Sequence, residues 1–414
     1  MPIKIIRATP ASAANISIGY SSIRSASIQF PYFNTVFSLA QFAILCAAIF
    51  LLFTGCTPTQ TVRQASRPAV VPTVNKILPA GVATYHAVSW DQIPGWEEDS
   101  LDQAWGAWLN SCQALLKSRD ASYWRTVCLK ANQLRQPSSQ LVRDYFQGNF
   151  QILEVRHAQS SSQFSAGSEI GLVTGYYVPE IRGSLYKTKK YQTPLHAYPE
   201  AWSKAKPTTL PTRAELLSSD ILKGRELVWV EDPVLAAFVQ IQGSGIIRLD
   251  DGSVVQLGFS GTNEHPFKPL GQWLIQKGEM KASQASMQSI QAWARKNPDR
   301  VEQLLNSNPR YVFFKKMPPN SMNKGPIGSI GVPLTAGRSI AVDWKAIPQG
   351  APVFLSTTYP NSNQLLRRLV MAQDTGSAIV GAVRADFYWG SGELAGENAG
   401  KMKQPAKMWL LLPL

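Results

Sequence analysis

Leu369-Val-Met-Ala-Gln-Asp374 and, ten positions on, Arg384-Ala-Asp-Phe-Tyr-Trp-Gly390 are the stretches on which the reading of the fold turns. Each carries an apolar, strand-forming run to an aspartate, and Ile340-Ala-Val-Asp343 repeats the pattern. Asp is scarce among these late runs, so its placement is informative. An aspartate that ends a strand can point out of the mouth of a barrel. Gly376 and Gly381 flank the middle one, which would let backbone approach a bulky ligand closely. Asp386 is followed by Phe387, Tyr388 and Trp389. Aromatic rings stack on the apolar faces of sugar rings, and apolar surroundings raise the pKa of a carboxyl group. Turn-capping aspartates among core aromatics would give the same pattern, and these residues alone leave both readings open.

Outward from there the chain is mostly strand-like. Ser339–Val342, Pro352–Ser356, Arg368–Ala372, Ala382–Tyr388 and Met408–Leu412 are short apolar runs between Gly and Pro turns, as in a small closed barrel. Upstream, Leu227–Val230, Ala237–Ile241 and Ile246–Leu249 are expected strands, and Asp250-Asp-Gly-Ser253 is a hairpin turn leading to Val254–Phe259. Between these blocks, Leu270, Leu274 and Ile275, then Met287, Ile290 and Trp293, then Val301, Leu304 and Leu305 are spaced for short amphipathic helices. Residues 84–160 are expected to be helical. Ser100-x-x-Gln103 has the spacing of a capping box, and Trp105, Trp108, Cys112 and Leu115 follow at helical spacing. Trp124, Val127, Cys128 and Ala131 form a second such face, and Leu141, Val142, Tyr145, Phe146 and Phe150 a third. No period of 20–50 residues repeats.

Composition excludes several classes. The 414 residues are 44% hydrophobic and 10% aromatic, enough for a sizeable core. Charged residues are only 16%, which argues against a coiled coil, and four His with four scattered Cys do not make a zinc framework. The net charge of +14 fits an anionic partner. Nucleic acid is one such partner, but no basic helix interleaved with base-stacking aromatics is present.

The N-terminus points to export. No acidic residue precedes Asp91, and Phe42–Phe53 is an unbroken apolar run of twelve residues. A spanning helix needs about 20, so the run suits a signal-peptide core. It ends in Phe53-Thr-Gly-Cys56, which resembles a bacterial lipobox with Phe53 where an aliphatic residue is usual. Cys56 would then carry lipid; a plain signal anchor with an idle cysteine is the alternative. Thr57 to about Gly81 is rich in Pro, Thr, Val and Ala and reads as an extended tether. In an oxidising compartment Cys112 and Cys128 are expected to pair and clamp two helices, with two buried thiols as the alternative.

Six collinear motifs make the chain resemble the membrane-bound lytic transglycosylase A family over residues 84–414. They are Val173-Thr-Gly-Tyr-Tyr-Val-Pro179, Val239-Gln-Ile-Gln-Gly-Ser-Gly245, Gly258-Phe-Ser-Gly-Thr-Asn-Glu-His-Pro266, Asn308-Pro-Arg-Tyr-Val-Phe-Phe314, Val332-Pro-Leu-Thr-Ala-Gly-Arg-Ser-Ile340 and Ala372-Gln-Asp-Thr-Gly-Ser-Ala-Ile-Val-Gly381, the last running on to Asp386. Ser377 stands where the family usually has Gly.

The resemblance implies a mainly β fold with N-terminal helices: a double-psi β-barrel with a smaller β domain inserted, and a groove between them for a glycan strand. The N-terminal reading independently agrees, with a signal peptide over 1–55 and a lipidated tether over 56–83. Residues 84–179 would hold the helices and the first barrel segment, 180–314 the insertion, and 315–414 the barrel segment with the catalytic acid. That acid would be Asp386, with Asp374 a neighbouring carboxylate that shapes the site; by physical reasoning its like charge would help keep Asp386 protonated before reaction. Thr174, Tyr176, Tyr177, Gln242, Ser244, Asn263 and Asp343 would meet substrate, although one of the two tyrosines could be core. His265, before Pro266, is expected to be structural, and Ser244 lacks a His that would make it a nucleophile. The implied reaction is non-hydrolytic cleavage of the β-1,4 bond between N-acetylmuramic acid and N-acetylglucosamine, leaving a 1,6-anhydro sugar. A hydrolase of the same fold and an expansin-like glycan-binding lipoprotein are the rivals. No cofactor or metal is implied. The expected partners are peptidoglycan strands and, through lipid, a membrane (the outer one, facing the periplasm), with the protein a monomer that binds no nucleic acid.

Overall fold

The computed structural model describes residues 77–205, 207–318 and 325–414. The leader, Cys56 and most of the expected tether lie outside the described residues.

Strand β1 (Ala83–Val88) pairs antiparallel with β2 (Phe150–His157), and three helices, Asp102–Leu115, Ala121–Gln133 and Ser139–Asn149, lie between them in sequence. The expectation of helix throughout 84–160 therefore fails at both ends. Phe150, Ile152, Leu153 and Val155 are buried in β2, and pairing with β1 and the barrel satisfies their backbone as a strand. The helices bury Trp105, Trp108, Trp124 and Phe146 against this sheet, each large side chain contributing about 1.5–3 kcal/mol. Cys112 and Cys128 are joined in a disulfide with Cα atoms 5.3 Å apart, which clamps the first two helices.

The Ser100-x-x-Gln103 capping box does not form. Arg338 claims the glutamine instead, its Nη2 donating to Gln103 Oε1 (3.2 Å) and also to the Ser100 backbone carbonyl (2.9 Å). The same guanidinium makes a bidentate pair with Asp99, at 2.8 Å for each bond, and both side chains are 3% exposed. The pair ties the segment before the first helix to the late strands.

After β3 (Gly171–Val178) the chain leaves for an inserted sheet and returns after Lys316. The insertion holds β4 (Glu180–Ser184), β5 (Thr193–His196), β6 (Glu226–Val230), β7 (Gly245–Leu249), β8 (Val254–Thr262) and β9 (Val312–Lys316). They are ordered β5-β6-β4-β7-β8-β9, and a bridge from Ala197 to Phe314 brings the two edges together. The hairpin turn at Asp250–Ser253 joins β7 to β8 as read from the sequence. The expected strand Ala237–Ile241 is instead part of the helix Pro233–Gln242. Its start and stop signals outweigh its apolar run. Asp232 accepts from the amides of Val234 and Leu235, Pro233 occupies the first turn, and Gly243 closes the helix at φ 73°.

The returning chain supplies β10 (Ser339–Val342), β11 (Pro352–Thr358), β12 (Leu365–Asp374), β13 (Arg384–Ser391) and β14 (Lys403–Pro413). With β3 these make a closed ring, β3-β13-β10-β12-β11-β14, shut by pairing of β14 back to β3. Two of the six pairings, β10 with β12 and β13 with β3, are parallel. This is the double-psi β-barrel with an inserted smaller domain. The helix Glu393–Lys401 between β13 and β14 escapes the sequence reading. It packs through Ala395, Gly396 and Ala399, and at Gly175 of β3 a Cβ would sit 2.8 Å from the Ala399 Cα.

Candidate active site

Strand register builds the site. Ala341 of β10 is paired with Asp374 of β12 on one side and with Asp386 of β13 on the other. Asp386 is in turn paired with Thr174 of β3. Thr174, Asp386, Ala341 and Asp374 thus form a row across four adjacent strands, and the smallest side chain leaves space between the two carboxyl groups. Ala385 and Phe387, on either side of Asp386, point into the barrel core and are fully buried. Alternation along the strand turns Asp386 and Tyr388 to the other face. There Tyr388 packs with Val178, Leu334, Tyr176 and, from the insertion, Ile246. The row therefore lies where barrel and insertion meet.

Asp386 Oδ1 accepts a hydrogen bond from Thr174 Oγ1 at 2.6 Å. Thr174 Oγ1 accepts from Arg384 Nη2 at 2.9 Å, and Arg384 Nη1 is held by the Ala385 carbonyl. Burial raises the pKa of Asp386, opposed by the Thr174 hydrogen bond and the Arg384 charge. Asp374 Oδ1 accepts from the backbone amides of Ser329 (3.0 Å) and Thr375 (2.9 Å). Its pKa is raised to about 6, first by burial and last by the charge of Asp386. The two carboxyl groups repel each other, and burial is the largest cause of the rise at both. The Tyr176 hydroxyl is buried facing both carboxyl groups, which with burial keep it protonated. It approaches Asp374 but reaches no well-formed hydrogen bond there.

The other candidates divide. Gln242, at the end of its helix, accepts the Tyr177 amide at 3.2 Å, which brings Gln242-Gly-Ser244 against the end of β3 beside Tyr176. Tyr177 itself is core, packed on Ala395, Ala399 and Gly396, with its hydroxyl on the Met287 sulfur. Asp343 caps a turn. It accepts from the amides of Lys345 (3.0 Å) and Gly381 (2.9 Å) and anchors the loop after β12. Asn263 is 1% exposed, and both its amide hydrogens go to the Pro211 and Pro309 carbonyls. It braces the insertion and has no hydrogen left for a sugar. His265 is likewise structural, bonded to the Leu210 carbonyl. Phe387 and Tyr388 are buried, so they supply apolar surroundings and not a stacking surface. Sequence reasoning gave Arg384 no part, although it precedes the acid by two positions on the same face of a strand.

Among the described residues no group of three His, Cys, Asp or Glu is placed to hold a metal, and no helix is long and apolar enough to cross a membrane. What the row offers is a shielded carboxyl group with one bonded and one open oxygen, beside a second carboxyl and a neutral phenol. That suits proton delivery and retrieval.

Family models described as an MltA specific insert domain and a 3D domain match residues 172–315 and 338–412. The lytic transglycosylase LtgG of Burkholderia pseudomallei is 45% identical, covering 81% of this chain and 98% of that one, with a TM-score of 0.55. MltA from Neisseria gonorrhoeae is 31% identical, covering 81% and 96%, with a TM-score of 0.69. Membrane-bound lytic murein transglycosylase A of Escherichia coli is 33% identical over 58% of this chain. The aligned part spans 64% of that relative, under two thirds of its length. A structure of E. coli MltA with bound chitohexaose is similar at 26% identity, 75% of this chain and 90% of that one, with a TM-score of 0.59.

Proposed function

The chain belongs to the membrane-bound lytic transglycosylase A family, and on that premise we propose that it cleaves the β-1,4 bond between N-acetylmuramic acid and N-acetylglucosamine in peptidoglycan without consuming water. The observation that carries this reading is the half-buried Asp386 in its four-strand row. A protonated Asp386 donates to the glycosidic oxygen as the bond to C1 breaks and C1 gains oxocarbenium character. The muramyl C6 hydroxyl attacks C1, and Asp386, now ionised, takes the C6 proton. The products are a 1,6-anhydro sugar and a free N-acetylglucosamine hydroxyl, and the enzyme ends in its starting protonation state. One carboxyl group acts as acid and then base, worth about 10²–10⁴-fold in rate. Positioning and ring distortion supply more.

Tyr176, Gln242 and Ser244 line the approach to Asp386 in this reading, Thr174 stands against its Oδ1, and Asp374 shapes its far side. The glycan strand lies at the seam of barrel and insertion, as suits a relative of a protein crystallised with chitohexaose. The protein is of the cell envelope. Lipid on Cys56 and the leash after it would let the catalytic part sweep nearby wall, from the outer membrane and as a monomer. The division into leader 1–55, tether 56–83, first barrel segment 84–179, insertion 180–314 and terminal barrel segment 315–414 belongs to the same reading.

Purified protein incubated with isolated sacculi tests the activity. Soluble muropeptides one water lighter than the hydrolysis product are expected. Incorporation of labelled solvent oxygen at the cut end would make the protein a hydrolase, and binding without soluble fragments would make it a glycan-binding lipoprotein.

A further inference from the structure

Asp386 has two oxygens, and the reaction proposed above needs its proton on one of them. We propose that Arg384, acting through Thr174, places the acidic proton of Asp386 on Oδ2, so that Arg384 and Thr174 are positioning residues for the acid and not ligands for the sugar. The inference rests on Asp386 being the acid.

The argument is one of hydrogen-bond direction. A guanidinium has donors and no acceptor. The 2.9 Å contact from Arg384 Nη2 therefore makes Thr174 Oγ1 an acceptor. A hydroxyl has a single hydrogen, and the remaining contact of Oγ1, at 2.6 Å, is to Asp386 Oδ1. Thr174 donates there, and Oδ1 is occupied as an acceptor. A proton placed on Oδ1 would make that oxygen a poorer acceptor and, where it pointed at Oγ1, would turn the threonine hydrogen away, where no acceptor is present among the described residues. Leaving a part-buried donor without a protein acceptor in this way disfavours that tautomer by up to about tenfold. Oδ2 receives no hydrogen bond from any described residue, so it is free to carry the proton and to face a glycosidic oxygen.

Two further features fit. Arg384 is fixed by the Ala385 carbonyl, and among the described residues it makes no direct ion pair with Asp386. A direct pair would hold the carboxyl ionised; contact through a hydroxyl orients it without doing so. Register places Thr174 opposite Asp386 in a parallel pair, so the three groups are held by β3 and β13 and not by loops. The charged and titratable groups facing Asp386 are Arg384 and Tyr388 on its own strand, Tyr176 on β3 and Asp374 on β12. Lys403 on β14 stands opposite Thr174 and is exposed. Ala341 on β10 and Gln242 of the insertion bring no charge.

The test is a double-variant cycle on the full chain, with kcat and KM on purified glycan strands read across pH. Thr174→Val is expected to lower kcat by tenfold or more with little change in KM. It should also move the alkaline fall of kcat/KM to higher pH, because the ionised acid loses a donor. Arg384→Met should do the same, and the double variant should be no worse than the more impaired of the two. Thr174→Ser should restore both rate and pH profile, and Arg384→Lys should restore part. If Thr174→Val does not fold, Arg384→Met and Arg384→Lys carry the same reading. Additive losses in the double variant, or a rise in KM with kcat and pH profile unmoved, would overturn the proposal and leave Asp386 as the acid. Full turnover in Asp386→Asn would instead remove the acid itself.

Discussion

Asp99 is buried and Asp386 half-buried, and they sit in opposite circumstances. Asp99, at the seam between the N-terminal helices and the barrel, receives two bonds from Arg338 and one from the Leu369 amide, at 2.8 Å each. Asp386, where barrel and insertion meet, receives one hydroxyl, and the nearest arginine is kept a residue away by that hydroxyl. A carboxylate whose oxygens are both engaged by donors serves as a fastener. One left with a single neutral donor in apolar surroundings can exchange a proton. The fold uses the same side chain for both purposes by varying only how many donors reach it.

The comparison breaks most visibly if the donor-poor carboxyl loses its proton chemistry. Asp386→Asn keeps the size and the Thr174 contact but cannot act as acid and base. Muropeptide release should fall by about 10²–10⁴-fold with the melting transition close to that of the parent protein. Release at the parent rate would mean that the row is not the reacting site.

The fastener should behave in reverse. Arg338→Met strands the Asp99 carboxylate in the seam and should cost about 3–5 kcal/mol of stability, the usual consequence of breaking a buried pair from one side. Urea unfolding reads it directly. Turnover per folded molecule should be nearly unchanged at a temperature where the variant remains folded. A loss of activity in proportion to that of Asp386→Asn, with stability intact, would mean that Asp99 and Arg338 act in the site.

How far the sequence foretold this follows from range. The late strands and their terminal aspartates were legible, because an apolar run ending in Asp is a local pattern. The helix Pro233–Gln242 was legible too, in Asp232, Pro233 and Gly243, but its apolar run Ala237–Ile241 is compatible with a strand and was read as one. What could not be read was partnership across the chain. Gln103 has capping-box spacing, yet Arg338, 235 positions away, claims it. Asp343, Asp374 and Asp386 look alike in sequence. Only strand register shows that Asp374 and Asp386 flank Ala341, while Asp343 lies past the end of its strand at a turn. The role of Arg384 was hidden for the same reason, since Thr174, its link to the acid, is 210 positions upstream.

Asp374 lies between the two extremes, with two backbone donors and a half-buried carboxyl group, and it yields the smallest expected effect. Its pKa is raised in the folded protein to about 6, against about 3.9 in an unfolded chain. Between these values the folded state binds the extra proton. The stabilisation is therefore complete below about pH 4 and is lost as pH rises through about 6. Asp374→Asn should flatten this slope, making the variant relatively more stable at pH 7 and erasing the advantage at pH 4, by on the order of 1 kcal/mol after allowance for partial exposure. Burial also raises Asp386, so the measurement belongs in an Asp386→Asn background, where only one of the two carboxyl groups titrates and the repulsion between them is gone. A slope that survives Asp374→Asn in that background would place the titration on another group. A slope that disappears would show that two backbone amides do not outweigh burial at Asp374.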